Sequence, residues 1–480
     1  MEKFDVIIIG GGPAGLVSSK LLKAFGKKVA IVEEALLGGD CTHSGCIPSK
    51  ALLKCANVAY EAKHISKYGL ASNEVKIDTK NVLTHVRSIV AEIYSHETPE
   101  IFEQEGISII QGRAHFVSED EIKVNDEIYC ASKYIIATGS SAVIPKIKGI
   151  KSIPYLSNAN MFLQESIPSS LIIVGTGAIG IEMASAFNRL GSKVTLLSRS
   201  NGILKAYDEE LSSILLKELV SEGISFLSNI KLLEVQKTSE GISLDYERKE
   251  KRGNIQAHKI LFAIGRKANT NLNLEKAKVT YNENGIIVNE YLQSKNKNIY
   301  AIGDVSSFYK YTHIAEQEAI KAASNIALPI KQKISYAHIG SCIYAQPELA
   351  HIGLNKKEIQ EKYTKSQYST YTFEYKNSDR GYTDVNKVGM IKVSVLNNGK
   401  ILAASILGSR AGELIHQLQI AKTFDISFDK LSKMIYLYPT YADIIKQPAK
   451  KFYINKLLNN KALLFLKKIL SVFKSKNNEN

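Results

Sequence analysis

The apolar positions at the start of the chain form an unbroken run, Asp5-Val6-Ile7-Ile8-Ile9, which closes on Gly10-Gly11-Gly12-Pro13-Ala14-Gly15. A short apolar run bounded by glycine reads as a strand buried on both faces. A helix is predicted after it, from Leu16 to Phe25. The next run, Lys28-Val29-Ala30-Ile31-Val32, predicts a second strand and ends at Glu33. The same succession returns further on. Leu171-Ile172-Ile173-Val174 runs into Gly175-Thr176-Gly177-Ala178-Ile179-Gly180, a helix, and the strand Val194-Thr195-Leu196-Leu197. An α/β protein with two Rossmann-like domains follows from this repetition.

Each glycine of the first turn has a separate task. Gly10 permits the tight turn, Gly12 lets a pyrophosphate approach the backbone, and Gly15 lets helix pack on strand. Between them Pro13 and Ala14 complete the turn, and the N-terminus of the helix that follows offers free N–H groups and a positive dipole end to phosphate. Glu33 lies 18 residues past Gly15, where a carboxylate accepts hydrogen bonds from ribose hydroxyls. A Gly-rich turn in an unrelated sheet is the plainer alternative, but strand, helix, second strand and acid in register favour a dinucleotide. In the second copy, with Gly175, Gly177, Ile179 and Gly180, the same count reaches Ser198, followed by Arg199. An acid there would repel a 2′-phosphate, whereas Arg beside Ser can bind one. Lys205 adds a positive charge. NADPH is therefore expected in preference to NADH, unless Arg199 and Lys205 are solvated loop charges. Two such folds imply one tightly held flavin and one exchanging nicotinamide.

Composition narrows the class. The chain has 480 residues, 45% hydrophobic and 23% charged, with 62 Lys and Arg against 47 Asp and Glu for a net +15. That suggests about three domains and excludes a protein disordered throughout, a collagen and a small disulfide-stapled fold. An apolar stretch of about 18 residues, the length that spans a bilayer, does not occur. Five cysteines are too few and too odd for a secreted framework, and the N-terminal run lacks a signal peptide's cleavage site. A cytoplasmic location is expected. Much of the charge sits at the end: residues 444–480 carry nine Lys and one Glu. Nucleic-acid binding is therefore not expected of the body. In that tail Leu458, Ala462, Phe465, Ile469 and Phe473 fall on one helical face among Lys461, Lys467, Lys468 and Lys474. Such a basic amphipathic helix suits an anionic membrane surface; a helix packed on a dimer and a disordered tail are the alternatives.

The remaining motif is Gly38-Gly39-Asp40-Cys41-Thr42-His43-Ser44-Gly45-Cys46-Ile47-Pro48-Ser49-Lys50. Two cysteines with four residues between them, at a helix entrance and one turn before a lysine, favour a thiolate. In a cytosolic protein such a pair is more often redox-active than structural. A metal site would lack a second Cys pair nearby, and none is expected; two buried thiols are the other alternative. This segment resembles the active-site signature of the class I pyridine nucleotide-disulfide oxidoreductases, the family of dihydrolipoamide dehydrogenase, glutathione reductase and mercuric reductase. Ala137-Thr138-Gly139, Gly265-Arg266, Ala301-Ile302-Gly303-Asp304 and Pro347-Glu348 resemble its later motifs, and Glu182 matches the acid that pairs with the lysine near the flavin.

The resemblance implies FAD, a redox-active disulfide between Cys41 and Cys46, and a homodimer. It places Cys46 nearest the flavin ring, Cys41 toward the substrate, and Lys50 with Glu182 beside the ring. It implies a flavin domain split into 1–147 and 269–335, an NAD(P) domain at 148–268 and an α+β dimerisation domain at 336–443, with the basic tail at 444–480. The chain departs from the family's disulfide reductases at Tyr438-Pro439-Thr440-Tyr441-Ala442-Asp443, where His-Pro-Thr-x-x-Glu is usual. A phenol titrates near 10 and is a poor proton shuttle at neutral pH. Mercuric reductases also carry Tyr there but end in a vicinal cysteine pair, and the last cysteine here is Cys342. His43 stands in the redox loop where Asn is usual, either as a substitute base or as a loop residue. The function expected is transfer of electrons from NADPH through FAD to a small-molecule or protein disulfide or thiol acceptor. The alternatives are reduction of mercuric or another metal ion, and a non-reductase flavoprotein docked by its tail.

Overall fold

The computed structural model describes residues 3–71, 75–459 and 464. The chain forms two compact units. The first comprises Met1–Ile65, Ala71–Asn201 and Gly223–Ser335; the second comprises Ser66–Leu70, Gly202–Glu222 and Tyr336–Asn480.

A seven-stranded sheet anchors the first unit. Its parallel part runs in the order Ser108–Gln111, Val29–Glu33, Lys3–Ile9, Glu127–Ile136 and Ile299–Ala301. The predicted first strand is buried on both faces: Ile7 and Ile9 enter one core, Val6 and Ile8 the other. That explains why the run is continuous rather than alternating. The helix Pro13–Ala24 starts three residues before the predicted Leu16, because Pro13 at its first position is already set for helical φ. Ile299–Ala301 brings a late segment back beside Glu127–Ile136, which places Gly303-Asp304 at the carboxyl edge of the sheet. The second glycine turn lies on a four-stranded parallel sheet, Ser225–Leu227, Lys193–Leu197, Ser170–Val174 and Lys259–Phe262. A three-stranded antiparallel sheet, Lys231–Thr238, Gly241–Arg248 and Lys251–Ala257, completes this unit.

The second unit is built on a five-stranded antiparallel sheet of Gly340–Ile343, Glu348–Gly353, Ile401–Gly408, Met390–Leu396 and Tyr368–Glu374. Helices Ala411–Thr423 and Asp443–Leu458 supply Leu414, Ile415, Leu418, Ile444, Ile445, Ala449 and Phe452 to its core. The tail expected to begin at 444 therefore starts as part of this core. Its apolar positions at 444, 445, 449 and 452 repeat at helical spacing, and the sheet covers them. Of the tail's expected apolar face, Leu458 is exposed; Ala462, Phe465, Ile469 and Phe473 lie outside the described residues.

Candidate redox and dinucleotide site

The two glycine turns are built alike. Gly10 (φ 109°) and Gly175 (φ 121°) hold backbone conformations that side chains avoid, and a methyl group on either would collide with a carbonyl oxygen, of Ala137 or Ala263. At Gly15 and Gly180 a methyl would strike the carbonyl of Gly10 or Gly175. Gly12 and Gly177 precede their helices with no side chain capping the end. A methyl on Gly177 would meet nothing within 4 Å, and one on Gly12 only the Gly39 Cα at 4.0 Å. Each turn is thus an open cradle at a helix N-terminus, the form that fits a pyrophosphate. Glu33 ends its strand beside the first cradle and accepts from the Gly11 N–H at 2.6 Å and the Ala35 N–H at 2.8 Å. Ser198 is buried beside the second turn, its hydroxyl 3.3 Å from that of Thr176, while Arg199 is exposed. Lys205 is exposed and belongs to the second unit.

A polar network joins several motifs that are far apart in sequence. Arg266 donates to the Asp40 carboxylate and the Ser140 carbonyl, and from Nε to the Ser140 hydroxyl at 2.7 Å. Ser140 Oγ donates to Asp304 at 2.6 Å, and Arg266 Nε lies 3.7 Å from the same carboxylate. The buried Glu318 accepts from the Gly303 N–H at 2.6 Å, fixing the loop that presents Asp304. Asp40 also accepts from Ser44 and Asn158. Thr138 and Asn269 exchange hydrogen bonds beside Gly139, whose φ is 67°.

Cys41 belongs to the short helix Gly39–His43, and Cys46 opens the helix Cys46–Lys63. Both are half-buried cysteines. The Thr312 hydroxyl lies 3.2 Å from Cys46 Sγ and donates to Cys41 Sγ at 3.5 Å. The two sulfurs are set apart electrically. Cys46 is lowered to about 6, first by a hydrogen bond from Cys41, then by Thr312 and the Lys50 charge, against its burial and the Glu182 charge. Cys41 is raised, first by giving that hydrogen bond to Cys46, then by burial, with Glu97 adding its charge. Lys50 Nζ pairs with Glu182 at 2.9 Å; the carboxylate is buried on the helix Ala178–Arg189. His43 places Nε2 2.7 Å from the Leu37 carbonyl and its ring edge-on to Tyr94. This is a loop contact with the backbone.

Tyr438 is 77% exposed and its hydroxyl donates to Asp379 at 3.0 Å, which raises the phenol further. Asp443 stands at the start of its helix and accepts from Gln447 at 3.0 Å, so Tyr438 takes its hydrogen-bonded carboxylate from Asp379. Thr312, Asp379 and Ser140 carry no motif and escape a reading of the sequence. Only the fold brings Thr312 to a cysteine 266 positions away. Among the described residues, no group of three or more His, Cys, Asp or Glu side chains could hold a metal ion. No helix of the described residues is long and apolar enough to cross a membrane.

Paired dinucleotide cradles around a dithiol define a flavin- and pyridine-nucleotide-linked redox protein. Residues 4–319 match the pyridine nucleotide-disulphide oxidoreductase family and residues 339–449 its dimerisation domain. The chain belongs to this family of FAD-dependent oxidoreductases, which take electrons from NAD(P)H; its dimerisation domain supports a homodimer. It is 30% identical over 446 residues to a mercuric reductase of Bacillus cereus, covering 92% of this chain and 70% of that protein. It is 30% identical over 472 residues to the mitochondrial dihydrolipoyl dehydrogenase of Pisum sativum, covering 94% and 92%. In fold it is similar to the HOCl-induced flavoprotein disulfide reductase RclA from Escherichia coli, solved as a Cu(II) complex. The TM-score is 0.84 at 22% identity, over 94% of this chain and 100% of that one.

Proposed function

We propose that this chain is an NADPH-dependent flavin disulfide oxidoreductase that passes electrons through Cys41 and Cys46 to a disulfide or thiol-linked acceptor. The observation that carries this is the cysteine pair itself: two sulfurs within reach of one Thr312 hydroxyl, with the Lys50–Glu182 ion pair at 2.9 Å whose lysine charge helps lower Cys46 while Cys41 is raised. Gly10, Gly12, Pro13, Ala14, Gly15 and Glu33 would hold the adenosine pyrophosphate of FAD. Gly39, Asp40, Ala137, Thr138, Gly139, Gly265, Arg266, Gly303 and Asp304 would line the remainder, across which the Arg266 network runs. Bound there, the flavin supplies a two-electron relay between hydride and disulfide. Lys50 stabilises negative charge at Cys46 and on the ring side of the pair, and the buried Glu182 holds Lys50 in place. Cys41 faces the acceptor. Gly175, Gly177, Ile179, Gly180, Ser198 and Arg199 receive NADPH, in a domain at 148–268 between the flavin segments 1–147 and 269–335. Tyr438, with Asp443 in the family's acid position, would meet the acceptor site of a second subunit in a homodimer.

Anaerobic titration with NADPH tests this reading. The expected result is a long-wavelength thiolate-to-flavin band that is absent from Cys46→Ser, with disulfide reduction abolished in Cys41→Ser. Full disulfide reduction by Cys41→Ser overturns it. A second reading, mercuric-ion reduction, is favoured by the Tyr438 substitution and the similarity to mercuric reductases. It requires Hg(II)-dependent NADPH oxidation. Docking of the tail on an anionic membrane predicts that the full chain floats with anionic liposomes and that a chain ending at 458 does not.

A further inference from the structure

The proton balance of the dithiol points to a residue that no motif marks. Tyr438, in the position of the family's base, has a phenol raised above its ordinary range by Asp379, so it does not accept a proton at neutral pH. The pair must manage its own proton. We propose that Thr312 is a third catalytic residue, a shared donor whose hydroxyl turns from one sulfur to the other as their single proton crosses from Cys41 to Cys46. This deepens the reading that the pair is redox-active and rests on it.

The geometry supports each part. The hydroxyl is within hydrogen-bond distance of both sulfurs, 3.2 Å from Cys46 and 3.5 Å from Cys41. A hydroxyl has one proton to donate, so it serves one thiolate at a time. Thr312 opens the sixteen-residue helix Thr312–Ala327, anchored through the buried Ala315, Glu318 and Ala319, so rotation about its own side chain moves the O–H while the backbone stays. The charged groups facing the pair are arranged to match. Lys50 and Glu182 act on Cys46, and Glu97, held by the Thr42 hydroxyl at 2.8 Å, acts on Cys41. On Thr312's own helix the neighbouring His313 stacks on Tyr311, with ring centroids 5.3 Å apart.

The step balances without any outside base. With the proton on Cys41 and the charge on Cys46, the Thr312 hydroxyl, which reaches Cys41 at 3.5 Å, turns its proton to the nearer Cys46 at 3.2 Å. The Cys41 S–H bond breaks, a Cys46 S–H bond forms, and the negative charge moves to Cys41. The Thr312 O–H turns to Cys41, which is then the nucleophile toward an acceptor disulfide. Valine keeps the shape of threonine and loses the hydroxyl; serine keeps the hydroxyl.

The test uses reduced holoenzyme of native chain, Thr312→Val and Thr312→Ser, with bound flavin reporting that each has folded. Iodoacetamide alkylation is followed across pH with adducts located by mass spectrometry, and the reaction with 5,5′-dithiobis(2-nitrobenzoate) is followed by stopped flow. In Thr312→Val the alkylation midpoint of Cys46 rises by about one unit and the disulfide reaction slows about tenfold, the effect of losing a hydrogen bond to an ionised group. Thr312→Ser restores both. The proposal is overturned if Thr312→Val titrates and reacts as the native chain does, or if Thr312→Ser behaves as Thr312→Val. Disulfide reduction that survives in Cys41→Ser refutes the redox role of the pair itself, whatever Thr312 does.

Discussion

The sharpest prediction concerns the sulfur at position 46 when its neighbour is changed. The largest influence lowering Cys46 to about 6 is the hydrogen bond it receives from Cys41. A hydrogen bond to an ionised group contributes ~1.5–3 kcal/mol, which is about one to two units of pKa at 1.36 kcal/mol per unit. Cys41→Ala removes the donor, and the Cys46 midpoint should move from about 6 to about 7–8. Cys41→Ser keeps a hydroxyl donor at the same place, and its midpoint should stay near 6. At pH 7 the ionised fraction of Cys46 then falls from about nine-tenths to about a half or less in the alanine variant alone. The assay is the rate of alkylation of Cys46 against pH, measured in excess reductant and located by peptide mass spectrometry, for both variants and the native chain. If alanine and serine variants share one midpoint, the hydrogen bond between the sulfurs does not set the acidity of Cys46, and the polarised dithiol is a misreading.

Three further outcomes are expected. The reduced protein should gain stability with pH between about 6 and about 9, because there the unfolded pair holds two protons and the folded pair one; the slope is at most ~1.4 kcal/mol per unit. The contribution of Cys46 is lost as pH falls through about 6, and above about 9 the raised Cys41 reverses the trend. Thermal unfolding in excess reductant at several pH values measures this, and a flat profile refutes it. Arg199→Glu should weaken NADPH and spare NADH, read as a KM for NADPH raised about tenfold or more; equal KM changes for both nucleotides refute the assignment. Phe452→Ala should cost about 3–5 kcal/mol by opening a cavity in the core of the second unit, read by thermal unfolding.

Legibility in the sequence followed the range of the interactions. Gly10, Gly12, Gly15 and their counterparts at 175, 177 and 180 could be read because their spacing repeats between a strand and a helix, although the carbonyls of Ala137 and Ala263 that exclude a side chain at Gly10 and Gly175 lie far away in sequence. The strand Lys3–Ile9 could be read because burial on both faces demands an unbroken apolar run. Lys50 needed its helix, and Glu182 needed the resemblance, since 132 positions separate the two. Thr312, Ser140 and Asp379 were not legible: one hydroxyl or carboxylate among many acquires meaning only when folding sets it against a sulfur, a guanidinium or a phenol. The residues from 444 to 458 read as tail in the sequence because their lysines are conspicuous. A helix with one buried stripe and lysines elsewhere has the same composition as a surface helix, and only the sheet beneath Phe452 tells them apart.

The near-identical build of the two glycine cradles makes the molecule its own yardstick. The same one-carbon lesion, Gly10→Ala or Gly175→Ala, meets the same kind of obstacle, a carbonyl oxygen just past the end of the neighbouring strand. Under the proposed assignment, any difference between the two lesions reflects the tenant: a resident that leaves rarely and a visitor that leaves at every turnover. Comparing them within one polypeptide separates the cost of holding a cofactor from the cost of letting one go.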